Sequence, residues 1–134
     1  MAVASRAPSG TNTQPWKVYV LTGKKRAEMI ERVCNAQIEL FQNPELAEQY
    51  QETFAYYPET WISPFIDRRR ENGWGLYGLL GIQKGEKEKM AAQQLRNYQL
   101  FDAPVALYFT VNKAMGIGSK MDISMMIQNV MVAA

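Results

Sequence analysis

Two stretches of this chain carry the apolar density of β-strands. Residues 16–22 read Trp-Lys-Val-Tyr-Val-Leu-Thr, rich in β-branched and aromatic types. Residues 105–111 read Val-Ala-Leu-Tyr-Phe-Thr-Val, apolar almost throughout, which suits a strand buried on both faces. Pro104 stands at the start of this second run, where a missing backbone donor is tolerated. Elsewhere the apolar positions recur with helical spacing. Thr22-Gly23 opens a segment whose apolar face is Ala27, Ile30, Cys34, Ile38 and Phe41. Asn43-Pro44 breaks it. Residues 45–55 look helical; residues 56–66 do not, with Pro58 and Pro64 among four aromatics. Residues 85–99 predict a charged helix. In the last segment Gly116-Ile117-Gly118 precedes Ser119 and Asp122, which stand in capping-box spacing. Ile123, Met126, Ile127, Val130, Met131 and Ala134 then form a broad apolar stripe. The pattern gives two strands and at least four helices, with no internal repeat, low-complexity linker or domain boundary.

Composition narrows the chemistry. A chain of 134 residues predicts one domain, long enough to bury a core. Fifteen basic residues against thirteen acidic ones leave +2, too little to argue for a nucleic-acid partner. There is no histidine, which removes Ser-His-Asp and Cys-His catalysis and argues against zinc. The single cysteine, Cys34, cannot form an internal disulfide, and its place on an apolar helix face reads as a packed core thiol. No apolar run reaches the roughly 18 residues of a membrane span, and no signal peptide precedes the first motif. The expectation is a soluble cytoplasmic protein with no metal site and no catalytic side chain of its own. Both ends read as cut: five residues precede the first motif region, and residues 130–134 stop inside an apolar helical pattern with no breaker.

The densest chemistry lies in residues 6–16, Arg-Ala-Pro-Ser-Gly-Thr-Asn-Thr-Gln-Pro-Trp. Pro8 and Pro15 fix φ and remove two donors. Ser9, Thr11, Asn12, Thr13 and Gln14 supply donors and acceptors without charge. Gly10 accepts a close approach or a positive φ. Composition alone leaves two readings open, a loop for a large, flat, polar-edged ligand and an ordinary connection into a strand.

The spacing Pro8-Ser9-Gly10-Thr11-Asn12-Thr13-Gln14-Pro15-Trp16 resembles the flavin-contacting motif of the nitroreductase family, the FMN-dependent NAD(P)H oxidoreductases. Two weaker echoes follow in order, Phe101-Asp102-Ala103-Pro104-Val105 leading into a strand, and Asp122 through Gln128-Asn129 to Ala133-Ala134 on a helix. The aromatic and arginine-rich middle is similar to the branch that reduces nitroaromatic compounds. The resemblance implies an α+β fold with helices around a central mixed sheet, here incomplete. It implies FMN held by Pro8, Ser9, Gly10, Thr11, Asn12 and Gln14, with NAD(P)H as reductant and a nitroaromatic or quinone-type small-molecule acceptor. It also implies ping-pong kinetics and a homodimer with the flavin at its interface. Relatives of this kind extend further at both ends, with phosphate contacts before the motif. A truncated, non-catalytic flavin-binding or dimerisation module is therefore the competing reading. The family's dehalogenating and flavin-cleaving branches share the fold.

Other features read two ways. Tyr56, Tyr57, Trp61 and Phe65 form either an aromatic wall beside the flavin or satellite packing under a long loop. Arg68-Arg69-Arg70 either binds a phosphate of the nicotinamide cofactor or is a solvated helix start. Gly73 to Gly78 matches G-x-G-x-x-G, but no strand precedes it, so it reads as glycines that permit helix packing. The methionine-rich stripe is core or dimer interface before it is a pocket. Asp122 is a helix-start residue, with a second role beside the flavin as the alternative.

Overall fold

The computed structural model describes residues 1–52 and 54–134. The expected strands are both present. β1 (Trp16–Thr22) pairs antiparallel with β2 (Val105–Val111), from Trp16↔Val111 to Thr22↔Val105. The helices are α1 (Gly23–Gln42), α2 (Phe65–Leu79), α3 (Lys87–Tyr98) and α4 (Ile117–Ala133), with short 3₁₀ turns between. The class is α+β, mostly helical, and the sheet among the described residues is this antiparallel pair.

The chain forms two compact units, residues 1–26 with 104–134, and residues 27–103, the division falling within α1. The first unit is built around the sheet. Ala4, Ala7 and Met126 are buried together, and Trp16, Val18, Phe109 and Val130 pack against them. The small side chains of Ala4 and Ala7 bring the 3₁₀ turn Ala4–Arg6 close to α4. Trp16 and Val18 share one face of β1 by strand alternation. That cluster fixes where the chain emerges at Pro8, which positions the loop described below.

The second unit is more open. α1 ends at Gln42 ahead of Pro44, as the breaker requires, but none of its residues is fully buried. Cys34 is half-buried, and Ile38 and Phe41 are exposed, so the thiol is not a core thiol. The helix expected over residues 45–55 is a 3₁₀ helix, Pro44–Tyr50, and Thr53 lies outside the described residues. Pro at its first position presets φ but gives no donor, and the segment winds as a tight 3₁₀ helix of seven residues.

Three further expectations are corrected. β2 is not buried on both faces: Ala106 is buried, but Val105 and Thr110 are exposed. Ser119 and Asp122 form no capping box. α4 begins at Ile117 after Gly116, with no side-chain cap, so Ser119 already lies in its first turn and is buried. Gly73, Gly75 and Gly78 lie within α2, as the absence of a strand requires. A side chain added at any of the three would meet no neighbour within 4 Å, so they permit no close helix packing among the described residues.

Candidate functional site

Ser9 leaves the buried Ala7 in an extended conformation (φ −143°, ψ 153°), and the chain then folds back on itself in the 3₁₀ turn Gly10–Asn12. Thr11, Asn12 and Gln14 all take positive φ, at 49°, 57° and 46°. Asn visits this region readily; a β-branched threonine does so at a cost of roughly 1–2 kcal/mol. The turn is held by its own bonds. The Asn12 N–H donates to Ser9 O at 3.0 Å and the Thr13 N–H to Gly10 O at 3.1 Å. The Gln14 N–H donates to Ser9 Oγ at 2.9 Å, and Thr11 Oγ1 donates to Gly10 O at 2.8 Å.

One bond ties this turn to a distant element. The Gly10 N–H donates to Asp122 Oδ2 of α4 at 3.2 Å. Asp122 sits more than one turn into α4, so it does not start that helix; its carboxylate anchors the loop. Sequence reasoning placed Asp122 at a cap and missed this contact. The available signal was the 3.6-residue period, which puts Asp122 four residues before the buried Met126 and so on the packed side of α4.

The six sequence-predicted residues, Pro8, Ser9, Gly10, Thr11, Asn12 and Gln14, are thus brought together in one turn. Thr11, Asn12 and Gln14 are exposed, and the side-chain amides of Asn12 and Gln14 make no hydrogen bond among the described residues. Each amide offers both donors and acceptors. Ser9 spends one acceptor site on Gln14 and keeps its proton to donate. No charged side chain belongs to the turn between Pro8 and Trp16. The arrangement can hold an uncharged polar edge that alternates donors and acceptors.

In the second unit the aromatic residues gather only in part. Tyr56 and Tyr57 meet edge to face at 4.8 Å, and Tyr57 lies 5.5 Å from Trp61. Phe65 is exposed and joins no ring pair among the described residues. Arg69 lies over Trp61 at 4.7 Å and over Tyr57 at 5.7 Å. Arg68 and Arg70 form no ion pair among the described residues. No group of three or more histidine, cysteine or acidic residues that could hold a metal occurs among the described residues. No described helix is long and apolar enough to cross a membrane.

Comparison with known proteins gives this geometry a context. The model of the nitroreductase family matches residues 1–134. The chain is 33% identical to a 4-nitrobenzoate reductase of Nocardioides sp. (strain LMS-CY), covering all of this chain and 53% of that protein. It is 32% identical to a chloronitrobenzene nitroreductase of Comamonas testosteroni, covering all of this chain and 56% of that one. Among solved structures it is similar to the FMN and NADPH-dependent nitroreductase NfnB of sphigopyxis sp. strain HMH, at TM-score 0.82 and 35% identity, over 98% of this chain and 56% of that one. It also resembles the FMN-dependent NfnB of Mycobacterium smegmatis in complex with NADPH, at TM-score 0.83 and 25% identity, with the same coverage. The chain spans about half the length of the relatives it matches.

Proposed function

The chain belongs to the nitroreductase family, and we propose that it carries the flavin-holding loop of an FMN-dependent oxidoreductase that passes reducing equivalents from NAD(P)H to nitroaromatic or quinone-type acceptors. The observation that carries this reading is the turn at residues 8–14, with two free side-chain amides on a strained backbone that Asp122 anchors. The pyrimidine edge of a flavin alternates carbonyl acceptors with an N–H donor. Asn12 and Gln14 can answer both kinds of group, and Ser9 and Thr11 add hydroxyls. The residues present therefore fit FMN at that edge.

The flavin, when bound, supplies the hydride and electron chemistry itself. The chain's part is to hold and tune. The turn is preformed, so little ordering remains when a ligand edge docks. Neutral donors fixed at the edge stabilise negative charge that develops there, with little reorganisation at the moment of reaction. Pro8 and Pro15 stiffen both flanks. No acid, base or nucleophile is asked of the protein, in keeping with a chain that has no histidine.

We also propose a homodimer. Met121, Met131 and Val132 of α4 are 67%, 61% and 76% exposed, an apolar surface of the kind that marks an interface. NAD(P)H is a cytoplasmic reductant, which sets the expected compartment.

The test is flavin affinity and acceptor turnover. Ser9→Ala with Asn12→Ala should weaken FMN binding by about 1 kcal/mol for each lost bond. Varying NADPH and a nitroaromatic together should give parallel double-reciprocal lines. Equal flavin affinity in mutant and wild type removes the loop from the site. Flavin retention with no turnover of either acceptor makes the chain a binding or dimerisation module.

A further inference from the structure

Anchoring the turn does not exhaust what Asp122 can do. Oδ2 of its carboxylate accepts the Gly10 N–H at 3.2 Å, and no donor among the described residues reaches Oδ1. No cation among the described residues forms an ion pair with it. The side chain is half-buried. Its carboxylate lies against the turn itself, 3.9 Å from where a side chain at Gly10 would begin.

The turn it touches is otherwise neutral. Arg6 and Lys17 flank it in sequence, and Lys17 lies 5.2 Å from the ring centroid of Tyr19. One unpaired negative charge therefore stands against a set of uncharged hydrogen-bonding groups, all within one compact unit.

Such a charge matters most to a ligand whose own charge changes. Two-electron reduction of a flavin by hydride adds one unit of negative charge, which spreads over the pyrimidine edge. Neutral donors at that edge favour the reduced form. A carboxylate tied to the same turn opposes it. The Gly10 N–H is also spent on Asp122, which takes one donor away from that edge.

We propose that the Asp122 carboxylate lowers the reduction potential of the flavin held by residues 8–14, through its charge and not only by holding the turn in shape. This rests on the function proposed above. A lower potential makes the reduced flavin a stronger donor and extends its reach toward nitro groups, which are harder to reduce than quinones. Asp122 then biases the choice of acceptor by tuning the donor.

The experiment compares Asp122→Asn, Asp122→Ser and Asp122→Glu with the wild type, each loaded with FMN. The potential is read anaerobically against a reference dye, and the affinity for oxidised FMN by fluorescence titration. A potential reports the ratio of affinities for the two forms, so contacts common to both, those to the phosphate included, drop out. Asp122→Asn and Asp122→Ser remove the charge and keep an acceptor oxygen for Gly10. Each should shift that ratio about ten-fold toward reduced FMN, a rise of about 30 mV for a two-electron couple. The affinity of Asp122→Asn for oxidised FMN should stay close to that of the wild type. Asp122→Glu keeps the charge and should hold the wild-type potential. Circular dichroism of each variant checks the fold. An unmoved potential in the two neutral variants overturns the proposal and leaves Asp122 an anchor only. So does a rise in Asp122→Glu equal to that in Asp122→Asn. A wild type that binds FMN in neither form removes the function proposed above and this inference with it, whereas bound FMN with an unmoved potential removes this inference alone.

Discussion

The turn before β1 and the turn before β2 are built on the same backbone and hold it in opposite ways. Each is a short 3₁₀ turn, Gly10–Asn12 and Leu100–Asp102, each followed within three residues by a proline that leads into a strand. Among the described residues, the non-glycine residues with positive φ all lie in these two places, Thr11, Asn12 and Gln14 in one, Leu100, Phe101 and Asp102 in the other. In the second turn the polar groups are used up locally. Arg96 donates to Asp102 Oδ2 at 2.9 Å and lies 6.0 Å from the ring centroid of Phe101. In the first, the backbone and Asp122 do the holding, and the amides of Asn12 and Gln14 are left over. Strain alone therefore does not separate the two turns. Unspent hydrogen-bonding capacity does, and the proposed flavin contact rests on it.

That contrast can be broken most sharply at Asp122. Asp122→Ala removes the acceptor for Gly10 and should lower stability by about 1.5 kcal/mol in urea unfolding, with a parallel loss of flavin affinity. Asp122→Asn keeps an acceptor oxygen and should restore most of both. If the alanine variant matches the wild type, the first turn holds itself.

Glycine substitutions test the backbone directly. Leu100→Gly should stabilise by about 1 kcal/mol, because a leucine side chain offers no hydrogen bond of its own to offset a positive φ. Asn12→Gly should change stability by only a few tenths of a kcal/mol, since asparagine tolerates that conformation. Equal effects at both positions would erase the distinction between the turns.

Arg96→Gln isolates the electrostatic part of the second turn. The pair with Asp102 is solvent-exposed, so the loss should be under about 1 kcal/mol and should shrink further in high salt. The flavin affinity of the first turn should not move.

The smallest effect belongs to a third turn, where Gly85 takes a φ of 97° without strain. Lys89 Nζ donates to Glu86 Oε1 at 2.6 Å, and the Gln83 N–H donates to Oε2 at 2.7 Å. The Lys89 bond first, and then the Gln83 bond, hold the Glu86 carboxyl below its ordinary range. Its folded value is thus depressed. The contribution is fully present above the unfolded value and is lost as pH falls through the folded one. Glu86→Gln should remove that acid-side step from the stability profile, lowering stability slightly at neutral pH and leaving the acid end unchanged. NMR titration of the carboxyl checks the direction.

Both strands and the turn at residues 8–14 were legible because their signals are local. β-branched runs need no partner to be recognised, and prolines with small polar residues mark a turn whatever surrounds it. The polarity of residues 9–14 and their offsets were visible; their left-handed backbone was not. Burial was the part that misled. Apolar spacing in α1 and β2 says which positions favour cover, but Ile38, Phe41 and Val105 remain exposed. Asp122 failed for a related reason. An acidic residue shortly after a glycine reads as a cap, and the bond to Gly10 crosses 112 positions that no local pattern records.

The register of the sheet has a kinetic side. β1 and β2 pair along seven residues each, with the whole stretch from Gly23 to Pro104 between them. Closing a chain of that length costs roughly 4 kcal/mol of entropy before the first cross-strand bond forms. During synthesis β1 must wait, unpaired, until Val111 has emerged, which favours slow, late assembly of the sheet. The same logarithm makes the intervening segment's length nearly free: doubling it adds only about 0.6 kcal/mol. Residues 27–103 can therefore lengthen, shorten or be exchanged at little entropic cost to the strand pairing, so that part of the chain is free to diversify while the turn at residues 8–14 keeps its frame.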